Sequence, residues 1–343
     1  MNRRGVARAG AAALLFGAST PFAAQLADRM DAFALAGLLY LGAALAVLPS
    51  VLRRPPERRS LRRGWRRLAI AVVLGGAVGP VLLALGLQRT GAASASLLLN
   101  LELVFTVVVA ATVFREHIGT RVAAGTALLA LAGVLLAGTA GAGDARTGAL
   151  LVAGACLAWA VDNSVTAELD ELTPAQITFV KGLVAGTVNT AIGLTSAPAP
   201  EPRLVVAALA VGALGYGASI TLWVASAREL GAARAQVVFA TAPFLGAALA
   251  WTVFGDPVVA GTLVGCLLAG AGVALVVRSA HTHAHRHPAV EHDHEHEHGD
   301  GHHDHEHPDG FTGRHQHPHR HQELVHEHAH VPDLHHRHPH EGS

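Results

Sequence analysis

Residues 91–116, GAASASLLLNLELVFTVVVAATVFRE, decide how the rest of the chain is read. Apart from Asn100 and Glu102 the stretch is apolar or small for about 20 residues, the length a helix needs to cross a bilayer's hydrocarbon. Glu102 falls near its middle. An ionisable side chain at that depth costs roughly 2.5 to 3.5 kcal/mol on insertion scales, so it is expected to face other helices or a water-filled cavity. Residues 231–256, GAARAQVVFATAPFLGAALAWTVFGD, follow the same plan. Gly-Ala-Ala opens both stretches, Ala110 and Thr112 answer Ala250 and Thr252, and Val113-Phe114 answers Val253-Phe254. Each closes on an acid, Glu116 and Asp256. Ala, Gly and Val are abundant here, so the order of features argues for an internal repeat more than the number of identities does.

Composition extends that reading to the whole chain. Of 343 residues 51% are hydrophobic and only 15% charged, and the charges are bunched, which does not describe a soluble core. Apolar stretches rich in Ala, Gly, Leu and Val recur from Val6 to Val277, as in packed transmembrane helices. Cys156 and Cys266 both lie in apolar runs, leaving neither a disulfide framework nor a Cys-based zinc site. Arg3-Arg4 before an apolar run has the form of a cleaved signal peptide, but the repeat requires that run as its first span. Runs near the spanning length fall at 7–27, 32–52, 68–87, 92–113, 120–138, 147–167, 174–194, 204–224, 232–252 and 258–277. The paired stretches are the fourth and ninth of these. Five crossings per copy turn the second copy upside down, the plan that places a transport site near the midplane between the halves. The expected fold is an all-α membrane protein of about ten transmembrane helices in two inverted five-helix repeats, 1–140 and 145–278, with a disordered cytoplasmic tail, 279–343.

Arginines set the expected orientation, because cytoplasmic loops carry the positive excess. With the N-terminus inside, inner segments hold Arg3, Arg4, Arg8, the cluster from Arg53 to Arg67, Arg115, Arg121, Arg228, Arg234 and Arg278. The outer loops hold only Arg29, Arg89, Arg146 and Arg203. Both termini are therefore expected in the cytoplasm, with the chain in the plasma (inner) membrane. The basic loop 53–67 is read as a topology determinant against anionic lipid and not as a nucleic-acid patch. From Ser279 the composition changes, and the tail carries every one of the 24 histidines except His117. Such a segment is expected to be disordered without a ligand. His292, His294, His296 and His298, then His302, His303, His305 and His307, stand among carboxylates and offer ligands for Zn, Ni, Co or Cu. Three uses are open: a metal sponge or incidental extension, a sensor or loading arm, and a pH-responsive tail titrating near about 6.5.

GLQRTGAASASLLLNLE at 86–102 with FRE at 114–116, LAWAVDNSVT at 157–166, and ARELGAARAQVVFATAPF at 227–244 with FGD at 254–256 occur in an order that resembles EamA-type members of the drug/metabolite transporter superfamily. The resemblance covers about 7–277. It implies a plasma-membrane carrier of small metabolites, often an exporter, with a central cavity lined by both halves. Such proteins place a proline in the middle of the fourth and ninth spans. Pro243 fills that slot in the ninth, whereas the fourth has Leu103 beside Glu102. The first half is thus expected to lack a kink and to carry a charge instead.

Few residues within the spans can carry chemistry. Glu102 lies mid-span, with Asn100 about 200° away around the helix, so the two are not expected in one narrow pocket. Asp162 and Asn163 sit in the inner quarter of the sixth span near Trp159. Lys181, the chain's one lysine, lies about 10 Å inside the seventh, at a depth similar to Asp162. A buried ion pair is the least costly way to keep both charges in the membrane. Its competitor is a Lys181 that snorkels to the headgroups, with Asp162 and Asn163 in a structural hydrogen-bond knot. Asn189, Gln236, Thr241, Ser19 and Thr20 are candidates of the kind that often serve as interhelical glue. Pro21, Pro80 and Pro243 are candidate helix breaks whose freed carbonyls line a cavity, and Glu116 and Asp256 are read as loop caps. The first reading of function is a gradient-driven carrier of a small organic solute, with a proton at Glu102 as candidate coupling ion. The alternatives are a divalent-metal exporter loaded by the tail, and a non-transporting membrane metal sensor. Metal transport is disfavoured in the core, since the spans hold no histidine and Glu102 and Asp162 are expected at different depths. Three or four gathered ligands are then lacking. No nucleotide-binding loop, nucleophile elbow or His-based catalytic motif is found, so no enzyme activity, required cofactor or nucleic-acid partner is expected.

Overall fold

The computed structural model describes residues 3–113, 118–139, 143–166, 169, 172–230 and 232–277, and in the tail 281–287, 291–296, 315–320 and 324–330. Ten helices are long and apolar enough to cross a membrane. They are S1 (Arg3–Ala27), S2 (Ala32–Arg53), S3 (Trp65–Leu87), S4 (Ala92–Leu98 and Leu101–Thr112), S5 (Thr120–Thr139), S6 (Asp144–Thr166), S7 (Pro174–Ser196), S8 (Pro202–Ala227), S9 (Ala232–Phe239 and Ala242–Thr252) and S10 (Ala260–Val277). The two pieces of S4 and of S9 are called S4a, S4b, S9a and S9b. Polar residues fix several starts. Asp31 Oδ1 accepts from the backbone N–H of Phe33 (2.9 Å) and Ala34 (3.1 Å), capping S2. Thr173 and Gln176 form a reciprocal capping box at S7, while Pro174 and Pro202 occupy first-turn positions that need no N–H. Gln176 Nε2 also reaches the Arg54 carbonyl (2.9 Å), holding S7 to the end of S2.

The two repeats interleave. S1 packs on S8 and S9, and its counterpart S6 packs on S3 and S4. Across the pseudo-twofold, S2 meets S7 and S5 meets S10. These approaches are close because small residues line them: a Cβ at Gly186 of S7 would stand 2.9 Å from the Leu41 nitrogen of S2, and Gly125 and Gly272 bring S5 and S10 equally near. Val134 of S5 and Leu267 of S10 stay 70% and 74% exposed, which suits a surface solvated by lipid rather than water.

Both repeats are interrupted at the same places. S4 breaks at Leu99–Asn100 and S9 at Ala240–Thr241. S3 widens into a π-helical stretch at Ala71–Val78, as S8 does at Ala213–Ala218. The expectation that the first half lacks a kink is therefore corrected: S4 breaks without a proline. Its backbone tightens there into i→i+3 bonds, from Asn100 N to Leu97 O (3.2 Å), Glu102 N to Leu99 O (3.1 Å) and Leu103 N to Asn100 O (3.2 Å). The Asn100 side chain donates back to Leu97 O (2.9 Å), and the Cys156 thiol of S6 faces Leu98 O at 3.6 Å. Pro243 begins S9b, and Pro80, which has no N–H to return to the turn before it, follows the S3 π stretch. Pro21 departs from the expected pattern, since S1 runs through it as one helix.

The tail forms a unit of its own. Its described pieces pair as two antiparallel ladders, His281–His287 with Leu324–His330 and Glu291–His296 with His315–Arg320.

Candidate functional site

The carbonyls released by the π stretch of S3 organise the centre of the helical unit. Gly75 O accepts from the Tyr40 hydroxyl of S2 (2.5 Å) and from Trp159 Nε1 of S6 (3.1 Å). Ala77 O accepts from Asn189 Nδ2 of S7 (3.2 Å). Gly75 is also where S3 comes closest to S6: a Cβ there would fall inside the Asp162 carboxylate. Asp162 Oδ2 pairs with Lys181 Nζ of S7, their side chains 2% and 14% exposed, while the buried Oδ1 has no hydrogen-bond partner. Beside this pair Asn163 Nδ2 donates to Glu102 Oε1 at 2.6 Å.

The expected separation in depth of Glu102 from Asp162 is thereby corrected. Depths counted along an unbroken S4 overlook the turn at Leu99–Asn100, after which S4b packs along S6 and delivers the Glu102 carboxylate to the residue next to Asp162. Glu102, Asn163, Asp162, Lys181 and Trp159 thus form one cluster. The other candidates lie apart from it. Asn100 turns back to its own helix, Asn189 is engaged by Ala77 O, and Thr241 Oγ1 donates to Val238 O (2.6 Å). Gln236 and Pro243 belong to the two halves of S9.

Sequence reasoning missed the aromatic side of this centre. Tyr40 and Tyr216, the chain's only tyrosines, have ring centroids 6.0 Å apart. Tyr216 is 6.0 Å from Phe16, which lies 5.4 Å from Phe239, itself 6.4 Å from Trp223. All five rings are half-buried. The available signal was the placing of Gly75-Gly76 and of Gly215 and Gly217 at equivalent points in the two repeats.

The two ends of the helical unit differ. The end that carries the arginine-rich 53–67 loop and the start of S1 is termed the basic end. At the opposite end S4a packs on S9b, with Gly246 against Ser96 and against the Gly17 carbonyl. Asp256, following S9b, accepts from the Ala93 N–H at the start of S4a (2.8 Å), Phe22 stacks edge-on with Phe254 (5.1 Å), and Gln88 Nε2 donates to Ala27 O (3.0 Å). At the basic end the equivalent contact would join S4b to S9a. No contact of comparable extent joins them among the described residues: S4b lies chiefly on S5 and S6, and S9a on S1 and S8. S1 and S8 are tied there by the Arg8–Glu229 ion pair and by Ser226 Oγ donating to Gly5 O (2.9 Å). The pseudo-twofold is therefore broken at S4 and S9, closely packed on one side and less so on the other.

The family model for EamA-like transporters matches this chain twice, over residues 3–139 and 146–278. The chain belongs to the EamA-like transporter family. An uncharacterized transporter from Methanothermobacter thermautotrophicus is 29% identical over 209 residues, 59% of this chain and 61% of that protein, so the match spans about three fifths of the relative's length. A solved protein described only as "Crystal structure of protein" shares the fold with a TM-score of 0.55 at 20% identity, covering 80% of this chain and 96% of its own. Each half of this EamA-like chain supplies one broken and one π-widened helix, and Glu102 lies two residues beyond the break of the first.

Proposed function

We propose that the chain is a gradient-driven carrier that moves a small organic solute across the plasma membrane by alternating access, in the direction of export. The observation that carries this reading is the broken symmetry at S4 and S9, with the Glu102–Asn163 and Asp162–Lys181 pairs on the S4b side of it. Closing S4b on S9a and parting S4a from S9b would exchange the two ends without altering either repeat, which is how inverted repeats alternate. The turns at Leu99–Asn100 and Ala240–Thr241 are the hinges this exchange requires. The basic end, with both termini, faces the cytoplasm in this account, because arginine-rich loops stay inside. Glu102, whose partner is a neutral amide, is the group free to change its charge during the cycle, and a proton is the coupling ion proposed for it. The histidine-rich tail acts as a cytoplasmic arm that binds Zn, Ni, Co or Cu and regulates the carrier. A metal cargo in the core is less well supported, since Asp162 is engaged by Lys181 and among the described residues no three potential ligands gather.

Reconstituted vesicles test the proposal. Solute flux under a proton gradient is measured for the wild type and for Glu102→Gln, with insertion checked separately. The variant is expected to abolish flux or to uncouple it from the gradient. Flux of normal rate that still responds to protons would remove Glu102 from the mechanism.

A further inference from the structure

The two repeats fill the space beside their broken helices differently. The register that pairs residues 91–116 with 231–256 continues into the next spans, where Gly125 of S5 faces Val276 and its counterpart Gly265 of S10 faces Leu136. In that register Leu101 corresponds to Thr241, Gly133 to Val273 and Val134 to Ala274. In the first repeat S4b packs on S5, and Leu101 fills the space at Gly133, where a Cβ would stand 2.7 Å from Leu101 Cδ2. In the second repeat no contact of comparable extent joins S9 to S10 among the described residues. A groove of about 330 Å³ runs between them instead, a volume within the range of small-ligand sites, about 300 to 1,000 Å³. Along S10 it extends from Gly270 to Val277, roughly 10 Å at the rise of a helix, and on S9 it reaches Ala240 and Thr241, where that helix breaks. Gly270 leaves it room, since a Cβ there would meet only the Phe244 ring, at 3.9 Å.

The chemistry and the placing of the groove say what enters it. Among its described lining residues Thr241 has the one polar side chain, and that hydroxyl is already given to Val238 O (2.6 Å). A lining with so few polar groups does not hold water, while apolar walls left unfilled forfeit their dispersion contacts. Both walls belong to membrane-spanning segments, and the S10 wall is the last two turns of its span, level with S9a at the basic end. Gly270, Ala274 and Val277 follow Leu267 at helical spacing, so this wall continues a face whose Leu267 is 74% exposed and lipid-solvated. On the other side Val237 is 44% exposed. The groove thus opens sideways to the bilayer, and what a bilayer presents at that depth is hydrocarbon.

We infer that the groove between S9 and S10 is a binding site for one acyl chain of a membrane lipid in the leaflet at the basic end. The chain takes up, beside Thr241, the space that Leu101 occupies in the first repeat, and it lies against the break in S9. The site does not depend on which solute the carrier moves. To test it, the full chain is placed in lipid nanodiscs containing a phosphatidylcholine with a diazirine at the end of one acyl chain, irradiated, and its adducts mapped by peptide mass spectrometry. Residues 237–244 and 270–277 are expected to be labelled at least about threefold more than residues 131–134, a preference that a handful of extra carbon contacts supplies. The reference stretch is the counterpart on S5, where Leu131 and Val134 are 53% and 70% exposed but Leu101 has filled the groove. Gly270→Leu and, separately, Thr241→Leu, which installs the first repeat's residue, should each bring groove labelling down to the reference level and leave the reference unchanged; loss in either variant supports the site. Equal labelling of the two stretches in the wild type, or groove labelling that persists in both variants, would overturn the inference. So would a disulfide joining two copies through a cysteine placed at Ala274, which would give the groove to a second chain.

Discussion

Replacing Lys181 by methionine keeps the length of the side chain and removes its charge. Its partner Asp162 is 2% exposed at the side chain, lies against Gly75, and has a second oxygen with no hydrogen-bond partner. The carboxylate would then stay buried with nothing to compensate it, a loss of about 3 to 5 kcal/mol when one member of a buried pair is deleted. Removing both charges, as in Lys181→Met with Asp162→Asn, leaves no buried ion, and such double replacements are often close to neutral. The double variant is therefore expected to recover most of what the single one loses. Thermal or denaturant unfolding in detergent, followed by circular dichroism, reads this as a Tm several degrees lower for the single variant than for the double. A single variant as stable as the wild type, or a double variant no better than the single, would refute the claim that Asp162 depends on Lys181. Exchanging the charges, Asp162→Lys with Lys181→Asp, should likewise outperform either reversal alone.

Further outcomes follow from the same geometry. Gly75→Val would drive a side chain into the Asp162 carboxylate, and the strain, about 1 to 3 kcal/mol for overpacking, should appear in the same unfolding assay; an unchanged midpoint would mean that S3 and S6 are not in contact there. Asp256→Ala deletes the cap on S4a, about 1 kcal/mol, and should shift the balance toward opening at the sealed end by roughly fivefold. Faster labelling of a cysteine placed at the buried Thr90 by a membrane-impermeant thiol reagent would register that shift, and an unchanged rate would count against the seal. Truncation after Arg278 should abolish zinc or nickel binding measured by titration calorimetry while leaving solute flux in place; a truncated chain that binds these metals as well as the full one would remove the tail from its proposed role.

The ten spans were legible because a bilayer imposes their length, and Ala32 and Ala92 could be placed at helix starts from the Asp31 and Gly91 before them. The break in S4 was not legible, because proline was the signal sought, whereas Asn100 and the Cys156 thiol stabilise the turn through contacts that sequence does not display. The meeting of Glu102 with Asn163 depends on that break and was lost with it. Gly-Ala-Ala and the closing acid were both recognised as ends of a repeat unit, but the acid of the second copy caps the first residues of the first copy, a pairing that exists only once the two halves are folded together. Tyr40 and Tyr216 are invisible for the same reason, since each lies in an apolar run and acquires meaning from the π-widened helices around it.

Alternating access is the central claim, and two distances measured together test it most directly. Spin labels at exposed Val108 and Val237 report the gap between S4b and S9a, and labels at Arg29 and Val258 report the sealed end. Pulsed electron–electron resonance on the full chain in lipid nanodiscs, with Glu102 intact and with Glu102→Gln, gives both distance distributions. The account predicts two populations for each pair with reciprocal weights: wherever the basic end is parted the opposite end is closed, and a change that shortens the first distance lengthens the second. A single fixed distance for both pairs in every condition, or two ends that open together, would contradict it.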